Sequence, residues 1–271
     1  MGNCTHDCSS CSSSNCKDRK NDLLAPMNAE SNIKNVYAVV SGKGGVGKSM
    51  VTSLLAVSEA RRGKTVAILD ADITGPSIPK AFGVTDLATT TGNFINPMVT
   101  STGLKLMSMN CLLEDATGPV IWRGPVIAGA IKQFWTDVRW GDVDTMFVDC
   151  PPGTGDVPLT VFQSFPIKGI VIVTTPQDLV SMIVEKAVKM AEMMNVPILA
   201  LVENMSYMTC PDCGKKLYPF GESDLESLAK KHNIKNTFRL PINPILRQHV
   251  DTGLIEFYKD DEVDTIAKIL D

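Results

Sequence analysis

Two sets of residues in this sequence have the types and spacing to do chemistry, one suited to phosphate and one to metal. Gly42-Lys43-Gly44-Gly45-Val46-Gly47-Lys48-Ser49 has the spacing G-x-x-x-x-G-K-S. Glycines at those positions let successive backbone N–H groups turn inward on phosphate oxygens, and a helix beginning at the end of the loop adds the positive end of its dipole. Lys48 would neutralise the β- and γ-phosphates, and Ser49 would ligate Mg²⁺. Alone, the pattern specifies a binder of ATP or GTP. The metal set is sulfur. Cys4, Cys8, Cys11 and Cys16 form a Cys-x₃-Cys-x₂-Cys-x₄-Cys run, and Cys210-Pro211-Asp212-Cys213 is a C-x-x-C pair.

The two thiol groups differ in completeness. Four thiolates in one short segment suffice for a whole [4Fe–4S] cluster, with His6 as a spare ligand; zinc would also satisfy the site. A lone C-x-x-C reads as half a zinc ribbon, a redox pair or half a cluster site, because two thiolates complete neither tetrahedral zinc nor a four-iron cluster. A twofold axis through a homodimer would supply the missing pair. The remaining two cysteines, Cys111 and Cys150, stand apart; isolated cysteines are more often buried apolar residues than ligands.

Carboxylates complete the phosphate site. Asp149 follows the apolar run Met146-Phe147-Val148, and a carboxylate at the carboxyl end of a central strand is where Mg²⁺ is held, usually through water. Asp70 and Asp72 close another strand candidate, with Asp70 open to an alternative role as a turn or cap acceptor.

The elements that position these residues follow from hydrophobic pattern. Val36–Val40 is a short β-branched run that leads into the phosphate loop, and a helix is expected over Ser49–Arg62, closed by Gly63 as a left-handed cap. Further strands are expected over Thr65–Leu69, Leu104–Met109, Thr145–Val148, Ile170–Thr174 and Ile198–Val202. Helices are expected near Val126–Val138, Leu179–Met194, Asp224–Lys231 and Val263–Leu270. Strands alternating with helices imply an α/β, doubly wound and mostly parallel sheet. Residues 1–32 are polar, with almost nothing to bury, so the division expected is a cysteine-rich N-terminal segment, 1–32, and a P-loop domain, 33–271.

Composition limits the partners. The 271 residues are 44% apolar and 21% charged with a net charge of −4, which gives no electrostatic reason to expect nucleic acid. No apolar stretch approaches the length of a membrane helix, and the start of the chain has no hydrophobic signal region. Met1-Gly2-Asn3-Cys4-Thr5-His6 lacks the hydroxyl residue of a myristoylation start. Cytoplasmic residence is the expectation, and there closely spaced cysteines mean metal rather than disulfides.

Longer motifs carry a family resemblance. The Lys-Gly-Gly-Val-Gly-Lys-Ser pattern resembles the deviant phosphate loop of the MinD, ParA and nitrogenase-iron-protein class. That resemblance implies that Lys43 reaches the phosphates of a dimer partner, that Asp72 orients the attacking water, and that Asn204 contacts adenine. Residue chemistry alone leaves Asn204 equally a turn former. Asp70-Ala71-Asp72-Ile73-Thr74-Gly75-Pro76-Ser77-Ile78-Pro79, Trp122-Arg123-Gly124-Pro125, Asp149-Cys150-Pro151-Pro152-Gly153-Thr154-Gly155-Asp156, Asn204-Met205-Ser206-Tyr207 and the C-x-x-C pair occur in order. Together they resemble the Mrp/ApbC family of iron–sulfur cluster carrier ATPases over residues 33–271. The chain departs from the family pattern at Cys150, after the Walker-B aspartate, and at Glu222-Ser223-Asp224, where a glycine-rich run is usual.

The resemblance implies ATP with Mg²⁺ at the loop and a [4Fe–4S] cluster shared between the Cys210/Cys213 pairs of two subunits. It further implies slow hydrolysis used as a switch and delivery to apo iron–sulfur proteins. The N-terminal thiols are similar to the ferredoxin-like cluster of the cytosolic scaffold branch, with different spacing. Two other readings follow from the residues. A MinD- or ParA-like positioning ATPase would want a basic amphipathic tail or basic surface, whereas Asp260-Asp261-Glu262 opens an acidic end. A regulatory ATPase stapled by zinc would hold no cluster.

Overall fold

The computed structural model describes residues 23–73, 75, 77–113, 124–176, 180–259 and 261–270. Cys4, Cys8, Cys11 and Cys16 lie outside the described residues, as do Thr74, Pro76, Trp122 and Arg123.

The sheet is built around β1, Ser31–Ser41, which ends at the phosphate loop. Its neighbours are β7, Gly141–Asp149, on one side and β8, Ile167–Thr174, on the other, both parallel to it. Beyond β7 lie β2, Val66–Asp70, and β6, Lys105–Met107, again parallel, and then the antiparallel edge strand β5, Met98–Val99. Beyond β8 lies β9, Ile198–Thr209, which pairs in parallel with β11, Thr237–Pro241, and antiparallel with the short β10, Lys216–Leu217. Among the described residues this is one nine-stranded, mostly parallel sheet. A small hairpin of β3, Thr90–Thr91, and β4, Phe94–Ile95, stands beside it.

Residues Val36–Ser41 and Val66–Asp70 are buried without a break. Side chains alternate between the two faces of a strand, so an unbroken buried run requires both faces to be covered. The covering helices include α1, Lys48–Arg61, α3, Gly124–Thr136, α4, Asp156–Ser164, α5, Val180–Met193, and α8, Asp261–Ala267, with the short α2, Ile78–Ala81, between β2 and β3. Two more follow the last long strand: α6, Leu225–Lys231, and α7, Pro244–Asp251. Gly63 sits at φ +83°, the left-handed position that stops α1. Large rings fill the core under α3, where Trp135 stacks on Phe165 with centroids 4.7 Å apart.

The structure differs from the sequence reading at several places. The strand expected over Leu104–Met109 ends at Met107, because Ser108 accepts a bond from the Asn110 N–H at 3.4 Å and starts a 3₁₀ turn, Met109–Cys111. Strand β9 runs past Val202 to Thr209, because β11 and β10 pair along its continuation. Helices α4 and α7 were not anticipated. Asn243 caps α7 by accepting from the N–H groups of Ile245 and Leu246, and Pro244 occupies its first turn, so an Asn-Pro helix-start signal was present to be read.

Candidate functional site

The parallel register brings two of the candidate carboxylates together at the carboxyl edge of the sheet. Val39 on β1 and Asp70 on β2 are both register partners of Asp149 on β7, so the phosphate loop and two carboxylates emerge side by side. Beyond the strand ends, the Ala71 N–H donates to the Asp149 carbonyl at 2.9 Å, and the Gly153 N–H to the Ser41 carbonyl at 2.8 Å. These bonds fix the loops that follow each strand.

The loop itself has the geometry of an anion cradle. Gly45 and Gly47 adopt φ of +77° and +81°, and Gly47 occupies the N-cap of α1. A side chain at Gly47 would also collide with Asn204, since an added Cβ would lie 2.3 Å from its Nδ2. Helix α1 has no side-chain cap and no acidic residue in its first turn. Its orphan N–H groups and positive dipole end are therefore left for an anion.

Inside this cradle Lys48 and Ser49 converge on Asp149. The Lys48 ammonium lies 2.7 Å from Asp149 Oδ2, and the Ser49 hydroxyl donates to the same oxygen at 2.6 Å. Thr52 donates to Asp149 Oδ1 at 2.7 Å. Thr52 was missed in the sequence, although its place three residues after Ser49 puts it on the same helix face. Burial acts to lower the Lys48 pKa, but the Asp149 charge and hydrogen bond outweigh it, so the ammonium is held charged above its ordinary value.

Asp70 is pushed up to about 8, first by complete burial and then by the neighbouring Asp149 carboxylate. It accepts from the Asp72 N–H at 3.1 Å, the Ile78 N–H at 3.4 Å and the Ser108 hydroxyl at 3.3 Å. Asp70 thus acts as the acceptor that shapes the turn carrying Asp72. Asp72, Lys43, Gly44 and Ser49 line a cavity of about 320 Å³ over the loop.

A second cavity of about 460 Å³ adjoins the first and shares Met50 and Val250 with it. Its lining is mainly apolar, with Met205, Phe220, Pro241 and Leu246 among the residues. Asn204 forms part of its wall. Its Nδ2 donates to the Val46 carbonyl at 2.9 Å, while its buried Oδ1 has no protein partner. Sequence reasoning singled out Asn204 but not the walls, because Phe220, Pro241 and Val250 are brought there only by folding.

The thiol pair is elsewhere. Cys210 and Cys213 occupy the turn between β9 and β10, closed by bonds from the Cys210 N–H to the Lys215 carbonyl and from the Gly214 N–H to the Cys210 carbonyl, both 2.9 Å. Cys213 is exposed and Cys210 partly so. The backbone N–H groups of Cys213 and Asp212, in that order, lower the Cys210 pKa by bonding to its sulfur. Such bonds favour the thiolate, the form that binds metal. Among the described residues no three His, Cys, Asp or Glu side chains gather into a metal-holding group. Cys111 and Cys150 are buried, and burial raises their pKa to about 11 and about 12, which keeps both as thiols.

The family model described as ParA, NUBPL iron-transfer P-loop NTPase, matches residues 32–271. The chain belongs to this family. It is therefore a P-loop NTPase by membership as well as by site geometry. Among its relatives is an iron-sulfur cluster carrier protein of Clostridium perfringens, 47% identical over 235 residues, covering 84% of this chain and 82% of the relative. Another, also an iron-sulfur cluster carrier protein, comes from Methanocaldococcus jannaschii and is 45% identical over 262 residues, covering 94% and 90%. A solved nucleotide-binding protein of Archaeoglobus fulgidus in complex with ADP, with cobalt found in it, superposes with a TM-score of 0.76. It is 43% identical and covers 90% of this chain and 93% of that one. The cell-division ATPase MinD of Pyrococcus furiosus shares the fold, with a TM-score of 0.62 at 19% identity over 87% of this chain and 97% of its own. No helix among the described residues is long and apolar enough to cross a membrane.

Proposed function

We propose that the chain is an ATP-driven carrier of a [4Fe–4S] cluster, which it passes to apo iron–sulfur proteins in the cytoplasm. The observation that carries this reading is the pairing in one chain of a pre-formed phosphate cradle with an exposed, thiolate-favouring Cys210/Cys213 turn. Its relatives named as iron-sulfur cluster carriers support the cargo, and the ADP complex of the Archaeoglobus protein supports the nucleotide.

The residues divide the work as follows. The N–H groups of Gly44, Gly45, Val46 and Gly47 would face the phosphates, Lys48 would neutralise them, and Ser49 and Asp149 would hold Mg²⁺, which would spread the charge of the leaving phosphates. Adenine would occupy the 460 Å³ cavity, where its exocyclic amino group would satisfy the orphan Oδ1 of Asn204. Asp72 positions the attacking water, and Lys43 acts across a homodimer. A trans cation of this kind can accelerate phosphoryl transfer by roughly 10³–10⁵.

The cargo is held by Cys210 and Cys213 of two subunits. The C-x-x-C pair by itself leaves a four-ligand site half made, and a second copy would supply the missing pair. The four-thiol run Cys4, Cys8, Cys11 and Cys16 is proposed to hold a second cluster on its own. Neither nucleic acid nor a membrane is a partner in this reading.

Anaerobic reconstitution, followed by iron analysis, visible absorption and transfer to an apo-acceptor, tests the proposal. The double variant Cys210→Ala/Cys213→Ala should lose transfer while still binding ADP. Intact transfer by that variant would falsify the bridging site. Zinc in place of iron in protein purified without oxygen would favour the zinc-stapled alternative.

A further inference from the structure

Strand β9 passes both sites. Asn204 and Met205 line the base cavity, Glu203 precedes them on the strand, and Cys210 follows five residues after Met205, so at most roughly 17 Å of extended chain separates the cavity wall from the first thiol. After the thiol turn and β10, the chain comes back toward the cavity through residues 218–223. We propose that these residues form a strap that couples nucleotide occupancy to the Cys210/Cys213 turn, with Phe220 and Ser223 as its positioning contacts. The proposal rests on the reading that a nucleotide base occupies the cavity beside the phosphate loop.

Two contacts tie the strap to β9. Phe220 lines the cavity together with Asn204 and Met205, yet is 46% exposed. The Ser223 hydroxyl donates to the Glu203 carboxylate. Glu203 is only 2% exposed, and it also accepts from Ser206 at 2.7 Å and pairs with Arg239 at 3.4 Å. Arg239 in turn donates to the Ser223 carbonyl at 3.1 Å. This partly buried network centres on Glu203, the residue next to Asn204, so the far end of the strap is anchored beside the cavity wall. Its near end continues directly from the thiol hairpin, where Tyr218 packs against Tyr207 with ring centroids 6.4 Å apart and Lys216 lies 3.9 Å over the Tyr207 ring.

The strap has a joint. Gly221, immediately after the cavity-lining ring, adopts φ +81°, and its N–H donates to the Tyr218 carbonyl at 3.1 Å. A base in the cavity gains contact with Phe220, and the half-exposed ring can improve that contact by turning about this joint. Because Ser223 is fixed, the displacement falls on the Tyr218 side, which carries the hairpin. A ligand shifts an equilibrium only through a difference in its contacts between two states, and Phe220 supplies that difference.

The test uses the full-length chain, reduced and metal-free, with ADP affinity measured by calorimetry. Alkylation rates of Cys210 and Cys213 by iodoacetamide are read by peptide mass spectrometry with and without saturating ADP; buried Cys111 and Cys150 serve as internal controls. ADP should change the rates at the exposed pair by at least about fivefold, the lower end of ordinary allosteric coupling. Ser223→Ala should reduce that change to less than about twofold with ADP affinity held within about twofold, since the hydroxyl lies outside the cavity lining. Phe220→Ala should also lose the change, with weaker ADP binding. A purely structural role would alter the rates equally with and without ADP, leaving their ratio intact. ADP binding that leaves the thiol rates unmoved in the unaltered protein overturns the coupling alone, as does a full ADP effect in both variants. Failure to bind ADP overturns the nucleotide reading as well.

Discussion

The phosphate loop and the thiol turn sit at opposite extremes of preparation. At the loop, Lys48 and Asp149 are 6% and 0% exposed, and the hydroxyls of Ser49 and Thr52 already occupy both carboxylate oxygens. Four long parallel strands fix that geometry before any ligand arrives. At the turn, Cys213 is exposed, the flanking β10 is two residues long, and the Cys210 sulfur is attended by the backbone N–H groups of Cys213 and Asp212 and by the Cys213 side chain. A site that must grip phosphate through many turnovers benefits from pre-organisation. A site proposed to give up its cargo is better left incomplete and at the surface.

The comparison can be broken most severely at Lys48. Lys48→Ala leaves Asp149 buried without its cation, which should cost about 3–5 kcal/mol of stability and abolish ADP binding; a variant with unchanged urea midpoint would mean the site is less closed than described. Lys43→Ala sharpens the contrast, because Lys43 belongs to the cavity but not to the Asp149 cluster. Hydrolysis should fall by about 10³-fold or more while the fold and ADP affinity change little. A small loss of rate would remove the trans role.

Asp70 provides a pH handle on the closed site. Its carboxyl is pushed up to about 8 by burial and then by Asp149, so in the absence of nucleotide and Mg²⁺ the native chain keeps a proton that the unfolded chain releases near pH 4. The native state binds more protons over that interval, and the Asp70 contribution to stability falls as pH rises from about 4 through about 8. Asp70→Asn should flatten this slope in EDTA-treated protein. An unchanged slope between pH 5 and pH 8 would show, to within about a pH unit, that Asp70 stays ionised.

The smallest effect on stability belongs to the open site. Cys210→Ala/Cys213→Ala should shift the unfolding free energy by less than about 0.5 kcal/mol, since surface substitutions away from packed features rarely do more. A loss of several kcal/mol would show that the turn supports the sheet.

Much of this was legible beforehand. The Gly42–Ser49 motif, the apolar run before it and the strand ending at Asp149 needed only local pattern, because phosphate binding uses backbone geometry that consecutive residues create. Likewise, the alternation of strands and helices implied the parallel sheet. Helix α7 escaped although Asn243-Pro244 announced it, and β11 escaped because five residues ending in proline carry little periodic signal.

The sequence by itself determined that this chain has a phosphate loop, that Asp149 stands at a strand end, and that its thiols come as a run of four, a C-x-x-C pair and two isolated residues. Those are properties of neighbouring residues. Only the tertiary structure decided which strands flank β1, and hence that Asp70 and Asp149 share one buried edge. It also set Asn204 against Gly47 and carried Phe220 from beyond the thiol turn into the wall of the second cavity. The physical reason is the sheet order, which brings strands far apart in sequence side by side, a placement that local pattern leaves open.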